Sequence, residues 1–495
     1  MSVPYRDPSW VRDLVVAAAP GLAVPRTMIG RAAERRLAGD WRGACAAARM
    51  DVRLDPGRAS REHGAELADA LLDDLHHLVP DLVRWHFPRS AFPGRAELSP
   101  SSAVVLSRPG GGPGPRLVVL APRSGHMAPQ RLALDLLDPA ALADLDRSPV
   151  QRYYDEGGVL SWEEERYLWD DRYVHEARER WGGSAERAPF LEPDGTPRAR
   201  GLLPRADPGP GADPAVRSEW VVTLRQTGRN SGAAAAAAAA GVPGWLPRDL
   251  VTVLRGGSPD HLHPAVRAAL APARTGDGPV GPPPWEPPPP VWVDCGGVGH
   301  LVTLRDGRLR GPHTEREHER EEALRAFGGR RRGCFEVSDA WRTARGRLPR
   351  ELRAHRTELF ERVRHGDTDA VLRYLAAGGD PQVRNDEGET LLHRLSLVDH
   401  AVLLPRLLAA GLDVDAEARP GITPLYNAAR YDGDAALVRA LVAAGARTDG
   451  LGTPARGRLS LASVVDRGVK AGRYTDPGPW TELLRDLEQA ANGAP

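Results

Sequence analysis

Lysine is nearly missing from this chain of 495 residues: Lys470 stands alone, and all other members of the 66 Lys plus Arg are arginine. With 53 glycines, 46 prolines and abundant alanine, the bias fits a GC-rich genome rather than guanidinium-specific recognition. Net charge is missing as well. Asp plus Glu also number 66, giving a formal charge of +0, whereas a chain that grips a nucleic-acid backbone needs a basic surplus. Nucleic acid is therefore disfavoured as a partner. Cysteine is scarce: Cys45, Cys295 and Cys334 lie far apart with no Cys-x-x-Cys pair, which suggests neither a disulfide framework nor a zinc knuckle and fits a reducing compartment. No apolar run approaches the roughly 18 residues of a membrane span. Residues 11–25 are interrupted by Arg12 and Asp13 and follow no basic leader, so they make a poor signal peptide. The expected setting is cytoplasmic, with no membrane partner.

What is present is ordinary globular material, 41% hydrophobic and 27% charged, long enough for two to four domains. Residues 1–26 read as a partly ordered tail and 27–191 as an α+β domain. Its helices run over 27–50, broken at Gly39-Asp40, and over 61–79, where Leu67, Leu71, Leu72, Leu75 and Leu78 recur at helical spacing. Strands follow at 103–106, 117–120 and 131–137, the first two joined by a Pro/Gly-rich hairpin loop. Ser161-Trp162-Glu163-Glu164 reads as a capping box, predicting a helix to about Trp181 with Trp162, Trp169, Tyr173 and Ala177 on one face as core. Residues 192–218 look like a Pro/Gly-rich linker. The octa-alanine run 233–240 carries no assigned role. The segment 219–340 reads as strand-rich, with strands at 221–224 and 251–254, an extended Pro-rich loop at 271–290, a three-stranded meander over 291–310 turning at Asp306-Gly307, and a helix at 315–327. It either completes the same α+β domain or forms a second one.

The C-terminal third repeats itself. Thr390-Leu391-Leu392-His393 is echoed by Thr423-Pro424-Leu425-Tyr426, 33 residues on, and Gly378, Gly411 and Gly445 keep the same register. Thr caps a helix, Pro supplies a preset φ at its first turn, and Gly ends the second helix of each pair. This pattern resembles the ankyrin repeat family over about 140 residues. The resemblance implies a multidomain chain: an α+β N-terminal region of helices and antiparallel strands followed by an all-α repeat solenoid at 341–491. Its parts are a cap at 354–385, repeats at 386–417 and 418–450, and a degenerate C-terminal cap at 451–491. Thr390, His393, Gly411, Thr423, Pro424 and Gly445 become structural repeat residues. Leu391 replaces the usual Pro, Tyr426 the usual His, and Pro405 should kink or shorten its helix.

By position in that family, a protein partner meets the finger loops and concave face: Asp386, Glu387 and Glu389 in one repeat, and Arg419, Ile422, Arg430 and Tyr431 in the next. A local surplus of six arginines between 329 and 364, with Arg347, Arg350 and Arg353 on one helix face, is expected to dock the stack on the N-terminal region. Gly296-Gly297-Val298-Gly299-His300 reads as a β-turn, not a phosphate loop, since a strand follows it. His76, His77, His261 and His263 lack carboxylate or thiolate partners at ligand spacing, and Cys295 with His300, or Cys334 with a distant His, is better read as a half-buried thiol than as a nucleophile pair. No catalytic residue, metal ligand or cofactor is assigned. The expected function is that of a non-enzymatic adaptor binding another protein. The alternative is an enzymatic or toxin/immunity-related N-terminal module served by the repeats, which a polar pocket around Cys295, His300 or His126 would favour.

Overall fold

The computed structural model describes residues 23–89, 97–100, 102–122, 129–146, 158–226, 237, 246–276, 278–305, 308–328, 332–343, 346–431, 434–453, 457–474 and 477–492. Most of the 1–26 tail, His126, the alanine run apart from Ala237 and the Asp306-Gly307 turn lie outside the described residues. The fold is mixed α/β. Among the described residues no helix is long and apolar enough to cross a membrane.

The chain divides into two units: Met1–Gly125 with Arg131–Pro283, and His126–Gln130 with Pro284–Pro495. The cut falls inside the Pro-rich loop, so the meander groups with the C-terminal helices rather than completing the N-terminal domain. Burial explains this. Trp285 packs edge-on against Tyr374 with ring centroids 5.5 Å apart, and Val291, Val293, Val302 and Leu304 share one core with Trp341 and the helices beyond it.

In the first unit, α1 (Arg26–Leu37) and α2 (Trp41–Ala47) are separated at Gly39-Asp40 as the sequence indicates, Asp40 capping α2 through the Gly43 amide at 2.8 Å. β1 (Met50–Val52) leads into α3 (Pro56–His63), α4 (Ala65–His77) and α5 (Pro80–His86). The helix expected over 61–79 is therefore split at Gly64. β2 (Ala103–Ser107), β3 (Arg116–Leu120), β4 (Leu132–Leu137), α6 (Pro139–Asp146) and β5 (Val159–Ser161) follow. The sheet order is β1-β4-β3-β2-β5, with β1/β4 and β2/β5 parallel and the central pairs antiparallel, so the sheet is mixed rather than antiparallel throughout. Leu71, Leu75 and Leu78 cover the face carrying Val104, Leu106, Leu117 and Val119, while Val105 and Val118 meet Leu142 on the other. Covered on both sides, these strands read as near-continuous apolar runs.

Three further expectations fail in this unit. Residues 161–181 form no continuous helix but two 3-10 turns (Arg166–Leu168, Val174–Glu176) and one α-turn. Asp170, fully buried and bonded by Arg166 and Arg172, folds the segment back, so Trp162 and Trp169 enter one core and Ala177 another. The strands expected at 221–224 and 251–254 are helices α7 (Pro214–Gln226) and α8 (Arg248–Leu254). Ala215, Ser218, Val221 and Val222 are all buried, a helical stripe that outweighs the β-propensity of the Val pair. The expected linker 192–218 thus ends inside a packed helix, with Asp213 capping α7 through the Ala215 amide at 2.9 Å. α9 (Pro264–Leu270) completes the unit.

In the second unit, β6 (Val291–Asp294), β7 (Gly299–Arg305) and β8 (Arg308–Arg310) form the expected antiparallel meander, followed by α10 (Glu315–Ala326) and α11 (Cys334–Thr343). Then come α12 (Arg350–Arg364) and α13 (Thr368–Ala376), a 3-10 segment (Leu391–Leu397) with α14 (His400–Ala409), α15 (Pro424–Arg430) with α16 (Ala435–Ala443), and α17 (Leu461–Lys470) with α18 (Gly478–Asn492). The first member of each pair packs on the first member of the next: α12 on the 3-10 segment, that on α15, and α15 on α17. Pro405 does not interrupt α14. It is exposed beside exposed Ala401, so the carbonyl that loses its donor faces water.

One buried ion pair joins α7 to the loop before it. Glu219, fully buried, accepts from Arg187 Nη1 at 2.5 Å and from the Phe190 amide at 2.8 Å, holding Phe190 at φ 63°. Glu219→Ala should destabilise this unit by about 3 kcal/mol in urea unfolding because it leaves Arg187 buried with only Asp213, at 3.9 Å, to balance its charge. Glu219→Gln, which keeps an acceptor for Phe190, should lose less.

Candidate functional site

Between the helix pairs lie short hairpins. In the first, the Asn385 amide donates to Glu389 O at 3.0 Å and Gly388 turns at φ +79°. In the second, the Ala418 amide donates to Ile422 O at 3.1 Å, and a Cβ on Gly421 would sit 2.1 Å from Gly452 O, so only glycine lets the third hairpin approach this closely. Asp386, Glu387 and Arg419 are exposed at the tips, and Ile422, Arg430 and Tyr431 are half-buried. Asp386 also receives Arg356 Nη2 at 2.6 Å.

Glu389 is not a surface residue. It is 3% exposed, ion-paired to Arg394, and accepts from Asn385 Nδ2 and, across the stack, from Asn427 Nδ2, each at 2.9 Å. Thr390 and His393 form a reciprocal capping box, Thr423 caps α15 through the Tyr426 amide with Pro424 in the first turn, and Gly411 and Gly445 sit at φ +84° and +92°. His393 goes further: Nδ1 accepts from the Thr390 amide at 3.1 Å and Nε2 reaches Ile422 O at 3.1 Å, tying one helix pair to the next hairpin. Several arginines of the local surplus are paired within the stack, Arg362 with Glu358 and Asp367, and Arg364 with Glu361.

The second constellation was not legible as a set. Cys295 follows β6 in a turn closed by its amide to Val298 O at 2.8 Å, His300 lies in β7, His313 follows β8, and Cys334 opens α11. Their donor atoms all lie within 4.8 Å of one another. His300 Nδ1 is 3.1 Å from His313 Nε2, Cys295 Sγ is 3.5 Å from the same Nε2, and Cys334 Sγ is 3.7 Å from His300 Nδ1. Burial, and then Cys295, push the Cys334 thiol up to about 11, while burial and His300 pull His313 down. These four residues could hold a metal ion, where the sequence reading assigned no ligand set. A cavity of about 350 Å³ reaches His313 and is lined by Glu315, Glu319, Glu322 and Asp339. Cys295 and His300 do not line it, and His126 lies outside the described residues.

The other histidines are held structurally or exposed. His263 bonds Asp81 at 2.9 Å and caps α9, and His76 and His261 are exposed. His77 meets Asp171 at 2.9 Å near Asp170, whose carboxylate is already taken by Arg166 and Arg172. Sequence reading also missed a buried cationic patch. Arg84 is wholly buried and bonds Ala23 O through Nε at 3.1 Å; burial, then Arg89, Arg49 and Arg131, hold its guanidinium well below the usual range.

Comparison of the chain with protein-family models, with curated proteins and with solved structures found no match.

Burial lowers the His393 pKa from 6.5 to about 4. The folded state keeps the ring neutral while the unfolded chain takes up a proton, so stability present above pH 6.5 is lost as pH falls, fully by about pH 4. Between pH 7 and pH 5 the loss should be about 2 kcal/mol in urea midpoints. A His393→Gln variant, weaker at neutral pH, should lack this increment.

Proposed function

We propose that the C-terminal helix pairs form an ankyrin-type repeat array and that the protein is an adaptor binding another protein through its hairpin tips and the adjoining face of α15. The observation that carries this reading is the serial packing of α12, the 3-10 segment, α15 and α17, with a hairpin at each step and exposed, oppositely charged tips at Glu387 and Arg419. An array of short pairs presents an open, extended surface, which suits recognition of a macromolecule better than enclosure of a substrate. Tyr431 adds an aromatic anchor beside Arg430, whose guanidinium lies 5.7 Å from its ring centroid, and such residues dominate binding energy at interfaces. Glu389 and Asn427 are excluded from the contact surface by burial, so they hold the tips rather than read a partner.

The test is affinity capture with the full chain, followed by a binding isotherm for each protein recovered. Glu387→Arg with Tyr431→Ala should weaken a true partner at least tenfold, about 1.4 kcal/mol, with an unchanged melting temperature. Undiminished binding by that variant would remove the proposed surface.

A further inference from the structure

We propose that Cys295, His300, His313 and Cys334 form a structural zinc site that fastens the β6–β8 meander to the N-terminus of α11. The inference is independent of what the repeats bind.

The metric argument comes first. Zinc takes four ligands tetrahedrally, with Zn–S near 2.3 Å and Zn–N near 2.0–2.1 Å, which requires donor–donor edges of about 3.4 Å for N···N and about 3.5 Å for S···N. Three edges here are 3.1 Å between the two histidine nitrogens and 3.5 and 3.7 Å between sulfur and nitrogen, and all donors lie within 4.8 Å of one another. Two thiols and two imidazoles are also the donor set that suits Zn²⁺ over Mg²⁺ or Ca²⁺. On binding, each thiol releases its proton to solvent, and the two thiolates cancel the charge of the ion, leaving a neutral centre within a partly apolar setting.

The surroundings are built for this set. The Cys295 turn is held by the Gly297 amide on Asp294 Oδ1 at 2.8 Å. His313 is placed by the turn that leads into α10, where Thr314 and Glu317 cap the helix reciprocally, and Glu317 Oε2 lies 4.0 Å from Nδ1, the nitrogen turned away from the cluster. Cys334 is the first residue of α11, so the helix start holds its sulfur at the cluster. Gly333 stands at φ +60°, and a Cβ there would fall 2.5 Å from Cys295 Sγ, so glycine is what allows the start of α11 to reach the turn. The Phe335 ring lies tilted at 37° against His313 with centroids 4.6 Å apart, and the acid-lined cavity at His313 offers a cation its way in.

Four protein donors fill the coordination shell, which is the form of a structural site and not of a catalytic one with an open position. Its consequence is mechanical. The meander is small, α11 packs on β6 and β8, and both share the core of the helix pairs. A repeat stack needs a covered end, and the metal-pinned meander with α11 supplies that cover.

The full chain should carry one zinc by elemental analysis. Replacement with Co²⁺ should give the intense visible bands of a tetrahedral ion and a near-ultraviolet thiolate charge-transfer band. Cys295→Ser with Cys334→Ser should abolish both signals, and Cys45→Ser should leave them unchanged. Because the double variant can misfold, the wild-type chain is also stripped by chelation: its melting temperature should fall by about 10 °C or more and return with Zn²⁺ but not Mg²⁺. A wild-type chain that takes up no cobalt, that gives only octahedral bands, or whose stoichiometry survives in the double variant would overturn the site.

Discussion

Each short helix pair in the C-terminal unit leaves one apolar face that it cannot cover itself, and most of what is seen there follows from that. Helices of seven to fifteen residues are marginal alone. Here their faces merge into one core that runs from Trp285 and the meander through Trp341, Leu395, Leu425 and Val465 to Leu483. Burial between pairs traps polar groups, and these must be satisfied across the junctions. Glu389 therefore gathers Asn385, Arg394 and Asn427, and His393 bonds the carbonyl of Ile422. Such bonds make the stacking specific, because a slipped neighbour would leave a carboxylate or an imidazole buried without partners.

The ends of the core are closed by different means. At the C-terminal side Trp480 stacks flat on Tyr474 at 3.9 Å, and the Tyr474 hydroxyl returns to Ala429 O at 2.8 Å. At the N-terminal side the cover is a three-stranded meander and α11, too small to supply a core of their own. The Cys295, His300, His313 and Cys334 cluster lies where that cover needs a fastening. The first unit solves its burial problem by other means, a sheet coated on both faces and charged groups such as Glu219 and Asp170 sunk among arginines.

How much of this was legible varies with the range of the interaction. Helix starts at Asp40 and Thr423, chain reversals at Gly39 and Gly411, and the meander were readable because caps, turns and alternation act within a few residues. The segment 161–181 misled because its capping-box letters serve a strand end, where Ser161 Oγ bonds Glu163 instead of starting a helix. Val221-Val222 misled because β-branching is weaker than a buried helical stripe. Glu389 misled because its position marks a finger loop, while its burial is decided by Asn427, 38 residues away. The four-donor cluster escaped for the same reason: its members come from two turns, a strand and a helix start, spread along the chain from Cys295 to Cys334.

By itself, then, the sequence determined the period of the repeats, the capping residues at helix ends such as Asp40, Thr423 and Gly411, and the absence of a long apolar span, since all of these depend on neighbours along the chain. Tertiary structure alone decided which polar side chains are buried, where the chain divides, and that two cysteines and two histidines meet. Those outcomes depend on distances through space between residues far apart in order, and only packing sets them.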